Sequence, residues 1–481
     1  MKRLYILILS FISIITLLVF FYSVLNSNNE FRKFIKENLY FDYQKREVKR
    51  LISRNNFYLE NLKIYSDFYL ETVRPLIKEI DFKKIDEQNF KIKNTKLNLE
   101  IFKTDKLLNG KFQGAKATGY LAQHEDKIFL YTGDAILSYF SISDLSSEIF
   151  TSKVIDTNIM NLLPHKEIYS RWNKYEKHDS LKVFSDMRME PSLMGQGINS
   201  ILINDNKIYF SASNKRIINN KECYNVSFYS GDLKYDFVKF EELFVPKGCV
   251  QNPNKQQGGR IVKFNKEELI FSIGEWRIYE DEVELENFDP QKNDNLFGKI
   301  VLFDEKNKKY KILAKGLRNP QGLHFDSENN TIVITDHGPK GGDEINILYN
   351  ENKIPNFGWP VASYGVPYSK FEKRKHTTHK NFSEPVYYFP DSVGVSQVVK
   401  VPNKFIDSKF SSYFVVSMGG NSIEEGDMSI HYFEFDNKNV VKHETYPVYQ
   451  RIRDILYVED QNFYLLFFET DSSIGVLRLS E

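Results

Sequence analysis

Short apolar runs, broken by Asn, Asp, Lys and Gly, dominate the chain from Leu97 onward. One element recurs: an acidic or amide-rich turn, then a run of β-branched and aromatic residues that often ends in Gly or a small residue. Its six copies span residues 126–134, 205–213, 266–275, 329–338, 411–420 and 461–470. β-branched and aromatic residues fit the half-buried surface of a pleated sheet, so each copy predicts a β-strand.

The spacing of these copies indicates how the strands are arranged. Several copies are followed by a second apolar run, at 135–140, 298–304, 428–435 and 474–480. Their irregular separation, about fifty to eighty residues, argues against a solenoid with a fixed repeat. It fits blades of four antiparallel strands with loops of variable length. We therefore predict an all-β fold, a six-bladed β-propeller over residues 97–481; a pair of β-sandwiches is the alternative, although no linker between two domains is apparent.

Length and composition agree with this fold class. The chain has 481 residues, more than the roughly 250–300 that one hydrophobic core usually serves. A propeller avoids that limit because each blade packs only on its neighbours. With 65 basic and 64 acidic residues the formal net charge is +1, which gives no electrostatic reason to expect a nucleic-acid partner.

The N-terminal segment differs from the rest. Residues 4–25 contain no charge, and a membrane-spanning helix needs about 20 apolar residues. Lys2 and Arg3 precede this run, which favours a cytoplasmic N-terminus and an exported body. We predict a transmembrane anchor over residues 1–26, with the body on the periplasmic or extracellular side. A cleaved signal peptide is the alternative, although its apolar region would be shorter and a small-residue cleavage site would follow.

Residues 27–96 are rich in Lys, Glu, Asn, Leu and Ile. Their apolar residues recur at mixed spacings of three and four, which is typical of an amphipathic helix. This segment is predicted to be a helical stalk or a linker.

The cysteines, the histidines and the short motifs limit which kinds of chemical site the sequence supports. Cys223 and Cys249 are the two cysteines; they form a disulfide in an oxidising compartment or remain two buried thiols. No Cys-x-x-Cys pair indicates a zinc site. His376 and His379 are predicted to lie in a solvated basic loop. Zinc-protease, serine-hydrolase and phosphate-loop motifs are absent from the sequence.

A glycine-rich segment at 336–344, DHGPKGGDE, predicts a tight loop, because Gly-Pro and Gly-Gly pairs mark turns. Such a loop can aim backbone carbonyls at an ion, with Asp343 and Glu344 holding it in place. An ordinary turn between blades is the other interpretation.

Three stretches resemble the motifs of one family in order and spacing: GLRNPQGLHFD (316–326), TDHGPKGGDEIN (335–346), and NFGWP with ASYG (356–365). They are similar to the soluble aldose sugar dehydrogenases of the quinoprotein, or glucose/sorbosone dehydrogenase, family. Five further stretches fit the motifs of this family as well: QQGGRIVKF, LIFSIGE, LFGKI, SEPVYYFP and QRIRD. The resemblance is clear from about Gln256 to Leu479. It implies oxidation of a sugar or other alcohol with pyrroloquinoline quinone and Ca²⁺, and an unknown electron acceptor.

The resemblance also implies roles for particular residues. Arg318 and Asn319 match cofactor contacts, and Arg451 and Arg453 match a pair that lies against the quinone. A guanidinium suits the carboxylates of this cofactor because it donates two parallel hydrogen bonds. Taken alone, these arginines equally fit surface charges or partners of a neighbouring acid such as Asp454.

A calcium site is implied at the backbone carbonyls of Gly338 and Pro339. Calcium prefers oxygen ligands, and in this family it would polarise the quinone as a Lewis acid.

The chain departs from the family pattern at the reaction centre. Gln256 stands where the family has its catalytic histidine, and glutamine has no titratable proton with which to act as a general base. The lysine expected near Gly419 is absent as well. His337 or Glu275 is a candidate replacement base. The alternative function is a non-catalytic propeller that binds carbohydrate or a partner protein.

Overall fold

The structure, a computed structural model, describes residues 76–107, 118–163, 198–250, 256–276, 289–349, 353–366, 378–419 and 426–480, without positions 134 and 219. Helix is limited there to a 3-10 turn at Ile142–Ser146 and a short α-helix at Ile159–Leu162. The strands are β1 (Glu79–Ile92), β2 (Thr95–Lys103), β3 (Gly119–His124), β4 (Lys127–Thr132), β5 (Leu137–Ser141), β6 (Ile149–Thr157), β7 (Ile198–Asn204), β8 (Lys207–Ile218), β9 (Lys221–Asp232), β10 (Phe237–Val238), β11 (Glu241–Phe244), β12 (Gly258–Lys263), β13 (Glu268–Ile273), β14 (Lys299–Asp304), β15 (Lys309–Lys315), β16 (Pro320–Asp326), β17 (Thr331–Asp336), β18 (Asp343–Leu348), β19 (Tyr387–Phe389), β20 (Val395–Val401), β21 (Ser411–Ser417), β22 (Ser429–Asp436), β23 (Asn439–Pro447), β24 (Ile452–Val458), β25 (Phe463–Phe468) and β26 (Ser473–Leu479).

These strands form four-stranded antiparallel units, which we call blades. Blade 1 is β3–β6, blade 2 is β7, β8, β9 and β11, and blades 3, 4 and 5 are β12–β15, β16–β19 and β20–β23. Blade 6 is β24, β25, β26 and β2. The first strands β3, β7, β12, β16, β20 and β24 contact one another in that order, and β24 returns to β3. The described blades therefore close into a ring, and the expected all-β, propeller-like architecture is confirmed.

The N-terminal strands close this ring. β2 pairs with the last strand, β26, with Leu97 opposite Leu479. β1 pairs with β2 along one part and with β6 along another, which joins blades 6 and 1 into one sheet.

The predicted helical stalk or linker at 27–96 is therefore wrong from residue 79 onward. Glu79–Ile92 is a strand, because Ile80 and Phe82 are buried in alternation with exposed neighbours, the period of two that a strand requires. Residues 27–75 lie outside the described part of the chain.

All six copies of the recurring sequence element occupy the same position within their blades. Its six copies become β4, β8, β13, β17, β21 and β25, the second strand of each blade. In β17 and β25 every residue is buried, because neighbouring blades cover both faces of an interior strand. A strand buried on both faces reads as a continuous apolar run, which is why these strands were visible in the sequence.

Aromatic residues pack between blades. Phe228 of blade 2 stacks on Phe271 of blade 3, with ring centroids 4.0 Å apart. Tyr464 of blade 6 meets Phe414 of blade 5 edge-on. Such pairs add about 0.5–1.5 kcal/mol beyond the area they bury, and a chain with 39 Phe and 29 Tyr supplies many rings for them.

Two further predictions concern covalent and membrane features. Cys223 and Cys249 form a disulfide. Within the described part of the chain, no helix has the length and apolar character needed to cross a membrane. The predicted anchor at 1–26 lies outside the described residues and stays a prediction.

A buried carboxylate joins blades 4 and 5 away from the glycine-rich loop. Asp326 is 1% exposed and accepts hydrogen bonds from Lys400 Nζ at 2.8 Å and the Tyr413 hydroxyl at 2.6 Å. Burial alone would raise the pKa of this carboxyl, but the hydrogen bonds from Lys400, Tyr413 and Asn329 lower it to about 2.

Asp326→Asn is expected to reduce the free energy of unfolding at pH 7 by about 2–3 kcal/mol. A lowered folded-state pKa contributes stability above the unfolded pKa, and this stability is lost as the pH falls through the folded value. The difference from wild type should therefore shrink between about pH 4 and pH 2, as urea unfolding at several pH values would measure. Asp304→Asn, whose carboxylate caps a local turn through Asn307, is the control. A difference independent of pH would contradict this role.

Candidate functional site

Gln256 is held by its backbone at the edge of blade 3. Its carbonyl accepts a hydrogen bond from the Trp276 N–H at 3.0 Å. Gly274 is required here, because a Cβ at that position would lie 2.0 Å from the Gln256 carbonyl oxygen. Gln256 itself has φ of 74°, in the left-handed region. The backbone at residue 256 is therefore fixed independently of its side chain.

The Arg318–Asn319 segment leads into blade 4 and touches blade 3. The Arg318 carbonyl accepts from the Glu275 N–H at 2.9 Å, and Asn319 Oδ1 accepts from the Gly258 N–H at 3.2 Å. The buried Asp336 carboxylate accepts from the backbone N–H groups of Arg318, at 2.9 Å, and Asn319, at 2.6 Å. Burial raises the pKa of Asp336 to about 6, although these two bonds act against the rise.

The Arg318 side chain turns back onto the glycine-rich loop. Its Nη1 donates to the carbonyl oxygens of His337 and Gly338, both at 2.7 Å. The guanidinium carbon lies 5.4 Å from the centre of the Trp359 ring, within the range of a cation–π contact. The Gly338 carbonyl therefore faces a positive charge of the protein itself.

Asp343 joins this loop to blade 5. Its Oδ1 accepts from the Gly338 N–H at 2.8 Å and its Oδ2 from the Gly394 N–H at 2.7 Å. The side chain is fully buried, and that burial raises the pKa of its carboxyl to about 7. Asp343 is thus a clamp between neighbouring blades.

Arg451 and Arg453 of blade 6 share one buried carboxylate. Arg453 Nε donates to Glu469 Oε1 at 2.6 Å, and Arg451 Nε donates to Glu469 Oε2 at 3.2 Å. Arg451 Nη1 also donates to the carbonyls of Met418 and Gly419 on blade 5. The two arginines are alternate residues, so they project to one side of the chain. Glu469 is 0% exposed, whereas the Arg451 side chain is 22% exposed.

A fourth arginine completes the network. Arg453 Nη1 donates to Gln321 Oε1 at 2.8 Å, and Arg260 Nε donates to the carbonyl of Gln321 at 3.1 Å. Arg260 also forms a buried ion pair with Asp454, at 2.8 Å. The Leu121 N–H donates to the second Asp454 oxygen at 2.8 Å. Asp454 therefore pairs with Arg260, and the acid that the flanking arginines bind is Glu469.

We call Arg260, Arg318, Arg451 and Arg453 the arginine centre. Blades 3, 4 and 6 contribute these residues, and blade 5 connects them through the Gly394 and Met418 segments. Their ion pairs use two carboxylates, Glu469 and Asp454, and the guanidinium of Arg451 stays partly exposed. That donor set fits a ligand with several carboxylates, such as pyrroloquinoline quinone, because guanidinium groups bind carboxylates well.

The calcium expectation does not fit the same loop. Arg318 binds the Gly338 carbonyl, and Gly338 and Gly394 bind both oxygens of Asp343. In the residues that the structure covers, no group of three or more His, Cys, Asp or Glu side chains is arranged to hold a metal. A calcium ion on the carbonyls of Gly338 and Pro339 would face the Arg318 guanidinium.

The oxygens of Glu344, the other acid proposed to hold a calcium ion, also contact other side chains. Its Oε1 lies 3.3 Å from His379 Nε2 and its Oε2 accepts from Asn346 Nδ2 at 3.1 Å. Burial, with Asp336 nearby, raises the pKa of its carboxyl well above the usual value.

His379 is buried, so the prediction of a solvated loop is wrong for it; Glu344 and the aromatic Tyr364 contact it. His376 lies outside the described residues.

The two candidate replacement bases lie on different segments, and Glu275 is next to a residue that binds Gln256. Glu275 is buried and immediately precedes Trp276, which binds the Gln256 carbonyl. The His337 N–H donates to the Asn319 carbonyl at 3.0 Å. A catalytic role for either residue stays a prediction. The segment that follows Gly419, near which the family's lysine was expected, lies outside the described part of the chain at residues 420–425.

Sequence comparison identifies the family. The family model for glucose/sorbosone dehydrogenase matches residues 193–477, more than half of the chain. The chain belongs to this family. An aldose sugar dehydrogenase of Escherichia coli (strain K12), YliI, is 31% identical over 247 residues, which are 46% of this chain and 58% of that protein. An uncharacterized protein of Synechocystis is 27% identical over 171 residues, 35% of this chain and 38% of its own. The chain thus matches 58% and 38% of the length of these two curated relatives.

Solved structures support the fold. The soluble aldose sugar dehydrogenase of Escherichia coli in its apo form superposes with a TM-score of 0.56 at 20% identity, covering 80% of this chain and 99% of that one. A glucose dehydrogenase gives a TM-score of 0.55 at 18% identity, covering 77% and 98%. At these identities the likeness concerns architecture.

Proposed function

We propose that this protein is a sugar or alcohol oxidoreductase that binds pyrroloquinoline quinone at the arginine centre. The proposal is carried by one observation: Arg318 from blade 4 and the Arg451–Arg453 pair from blade 6 belong to one hydrogen-bonded network that runs through the Gly338 loop and blade 5. Family membership and the similarity to aldose sugar dehydrogenase of E. coli support the same reaction class.

The residues that would hold the quinone are Arg318, Asn319, Arg451 and Arg453. Arg451 is the partly exposed member of the pair, and Glu469 orients both its guanidinium and that of Arg453. When bound, the quinone would supply a two-electron acceptor for the hydride that leaves the substrate carbon. Calcium has no part in this proposal, because Arg318 binds the carbonyl that the metal would use.

The proton of the substrate hydroxyl is the difficult part of the reaction. Gln256 can orient a hydroxyl through its amide, but it cannot take up the proton. Losing a general base typically slows such a step by ~10²–10⁴-fold. The expected enzyme is therefore slow, unless His337 or Glu275 accepts the proton.

For the cellular setting, we propose a membrane-anchored protein whose body lies on the periplasmic or extracellular side. The Cys223–Cys249 disulfide supports this proposal, because disulfides persist in oxidising compartments. The substrate would be a small sugar or alcohol, and the electron acceptor is unknown.

The test is a titration of the full-length protein with pyrroloquinoline quinone, followed by visible absorbance. We expect saturable binding, and we expect Arg451→Met to weaken it about 10- to 100-fold, since hydrogen bonds to charged groups contribute about 1.5–3 kcal/mol. Arg478→Met is the matched control, because Arg478 also pairs with a shared carboxylate, Glu100, but lies on β26, the third strand of blade 6. Absence of binding to wild type, or equal weakening in both variants, would rule the proposal out.

Gln256 favours a second candidate, a non-catalytic propeller that binds carbohydrate or a partner protein. Dye reduction with a panel of aldoses separates the two functions. If the protein binds no quinone and reduces no dye, only the binding function remains.

A further inference from the structure

The loop at Gly338 holds a cation that belongs to the protein. Arg318 Nη1 lies 2.7 Å from the carbonyl oxygens of both His337 and Gly338. One N–H-bearing nitrogen thus bridges two consecutive carbonyls, the arrangement by which a backbone turn would otherwise bind a metal ion. The Trp359 ring covers the same guanidinium.

The backbone of Arg318 is held from several directions, which limits where its side chain can lie. Asp336 binds the backbone N–H of Arg318 and that of its neighbour Asn319. The Glu275 N–H binds the Arg318 carbonyl. The side chain is 4% exposed, so it cannot swing into solvent without opening the packing around Trp359.

The carboxylate oxygens of this loop are used elsewhere. Calcium takes six to eight oxygen ligands, usually including carboxylates. Both Asp343 oxygens accept backbone N–H groups, and the Glu344 oxygens face Asn346 and His379. A divalent ion at the Gly338 carbonyl would also repel the guanidinium that already contacts this oxygen.

We propose that the Arg318 guanidinium takes the place of calcium at the Gly338 loop, so that the arginine centre binds its anionic ligand without a metal. The quinone part of this inference rests on the proposed function. The calcium part does not, because it concerns only the loop and its own side chains.

The first experiment titrates the metal-free full-length protein with calcium chloride, followed by isothermal calorimetry and thermal melting. We expect no binding heat and an unchanged melting temperature up to about 5 mM calcium, above the dissociation constants of weak extracellular calcium modules. Saturable calcium binding in the micromolar range would overturn the inference, whether or not the quinone binds.

The second experiment measures quinone affinity in EDTA and in calcium chloride. Wild type should bind equally in both, within about twofold, and Arg318→Met should bind at least about tenfold more weakly in EDTA, as expected for loss of a charged partner. A tenfold loss of wild-type affinity in EDTA, or unchanged affinity of Arg318→Met, would overturn the inference. If wild type binds no quinone in either buffer, the proposed function fails, and the calcium titration still decides the inference.

Discussion

Gln256→His is expected to raise the rate of quinone-dependent dye reduction by about 10²–10⁴-fold, the usual contribution of a positioned general base. The substitution restores the residue type that the family places there. An imidazole with a pKa near 6.5 accepts a proton at neutral pH, which an amide cannot do.

The backbone at this position should accept the change. Residue 256 lies in the left-handed region with φ of 74°, where histidine is among the better tolerated residues. The Trp276 N–H and the close approach of Gly274 hold the main chain rather than the side chain. The new imidazole should therefore occupy the direction that the amide now has.

The measurement is the initial rate of dye reduction with saturating quinone and a panel of aldoses, across pH 5 to 9. Gln256→His should show a rate that rises with pH through the imidazole pKa, about 6.5. Gln256→Asn, which also lacks a titratable group, is the control and should show no gain. An unchanged rate in Gln256→His would place the base elsewhere, at His337 or Glu275.

Glu469→Gln is expected to destabilise the protein by about 3–5 kcal/mol, the cost of breaking a buried ion pair. Glu469 is fully buried and pairs with two guanidiniums, of which that of Arg453 is buried as well. A glutamine at this position would leave two positive charges at the centre of the ring without their shared carboxylate. Urea unfolding at pH 7 measures the loss.

The matched control is Glu100→Gln. Glu100 also serves two cations, Lys84 at 2.7 Å and Arg478, but its side chain is 18% exposed. Partly solvated pairs contribute about 0–1 kcal/mol, so this variant should stay close to wild type. Equal destabilisation by both substitutions would mean that burial does not determine how much Glu469 contributes to the free energy of unfolding.

The interior strands of the fold could be predicted from the sequence because a strand that is buried on both faces is a continuous run of mostly apolar residues. The second strand of a blade is rich in apolar residues, as β25 shows most clearly, and it is bounded by turns. The closure of the ring was not predictable from local pattern, because Leu97 pairs with Leu479 at the other end of the chain. β1 was misinterpreted as helix or linker because its exposed half is charged and only Ile80 and Phe82 show the alternation.

The arginines of the site were named from motifs, but their partners were not. Arg260 and Asp454 are separated by 194 positions, and no local spacing connects them. Arg260 lies within the GGRIV stretch and Glu469 is an acid that directly follows a fully buried strand; both were signals that could have been used. The contact between Arg318 and the Gly338 carbonyl could not be foreseen for a similar reason, since it depends on how the two segments fold together.

The central claim is that Arg318, Arg451 and Arg453 surround one anion-binding centre within the ring of blades. A crystal structure of the full-length protein with pyrroloquinoline quinone tests it most directly. We predict that the quinone carboxylates contact these guanidiniums, next to the Gly338 loop. A quinone bound at another surface, with the Arg451–Glu469–Arg453 group unchanged and uncontacted, would contradict the account.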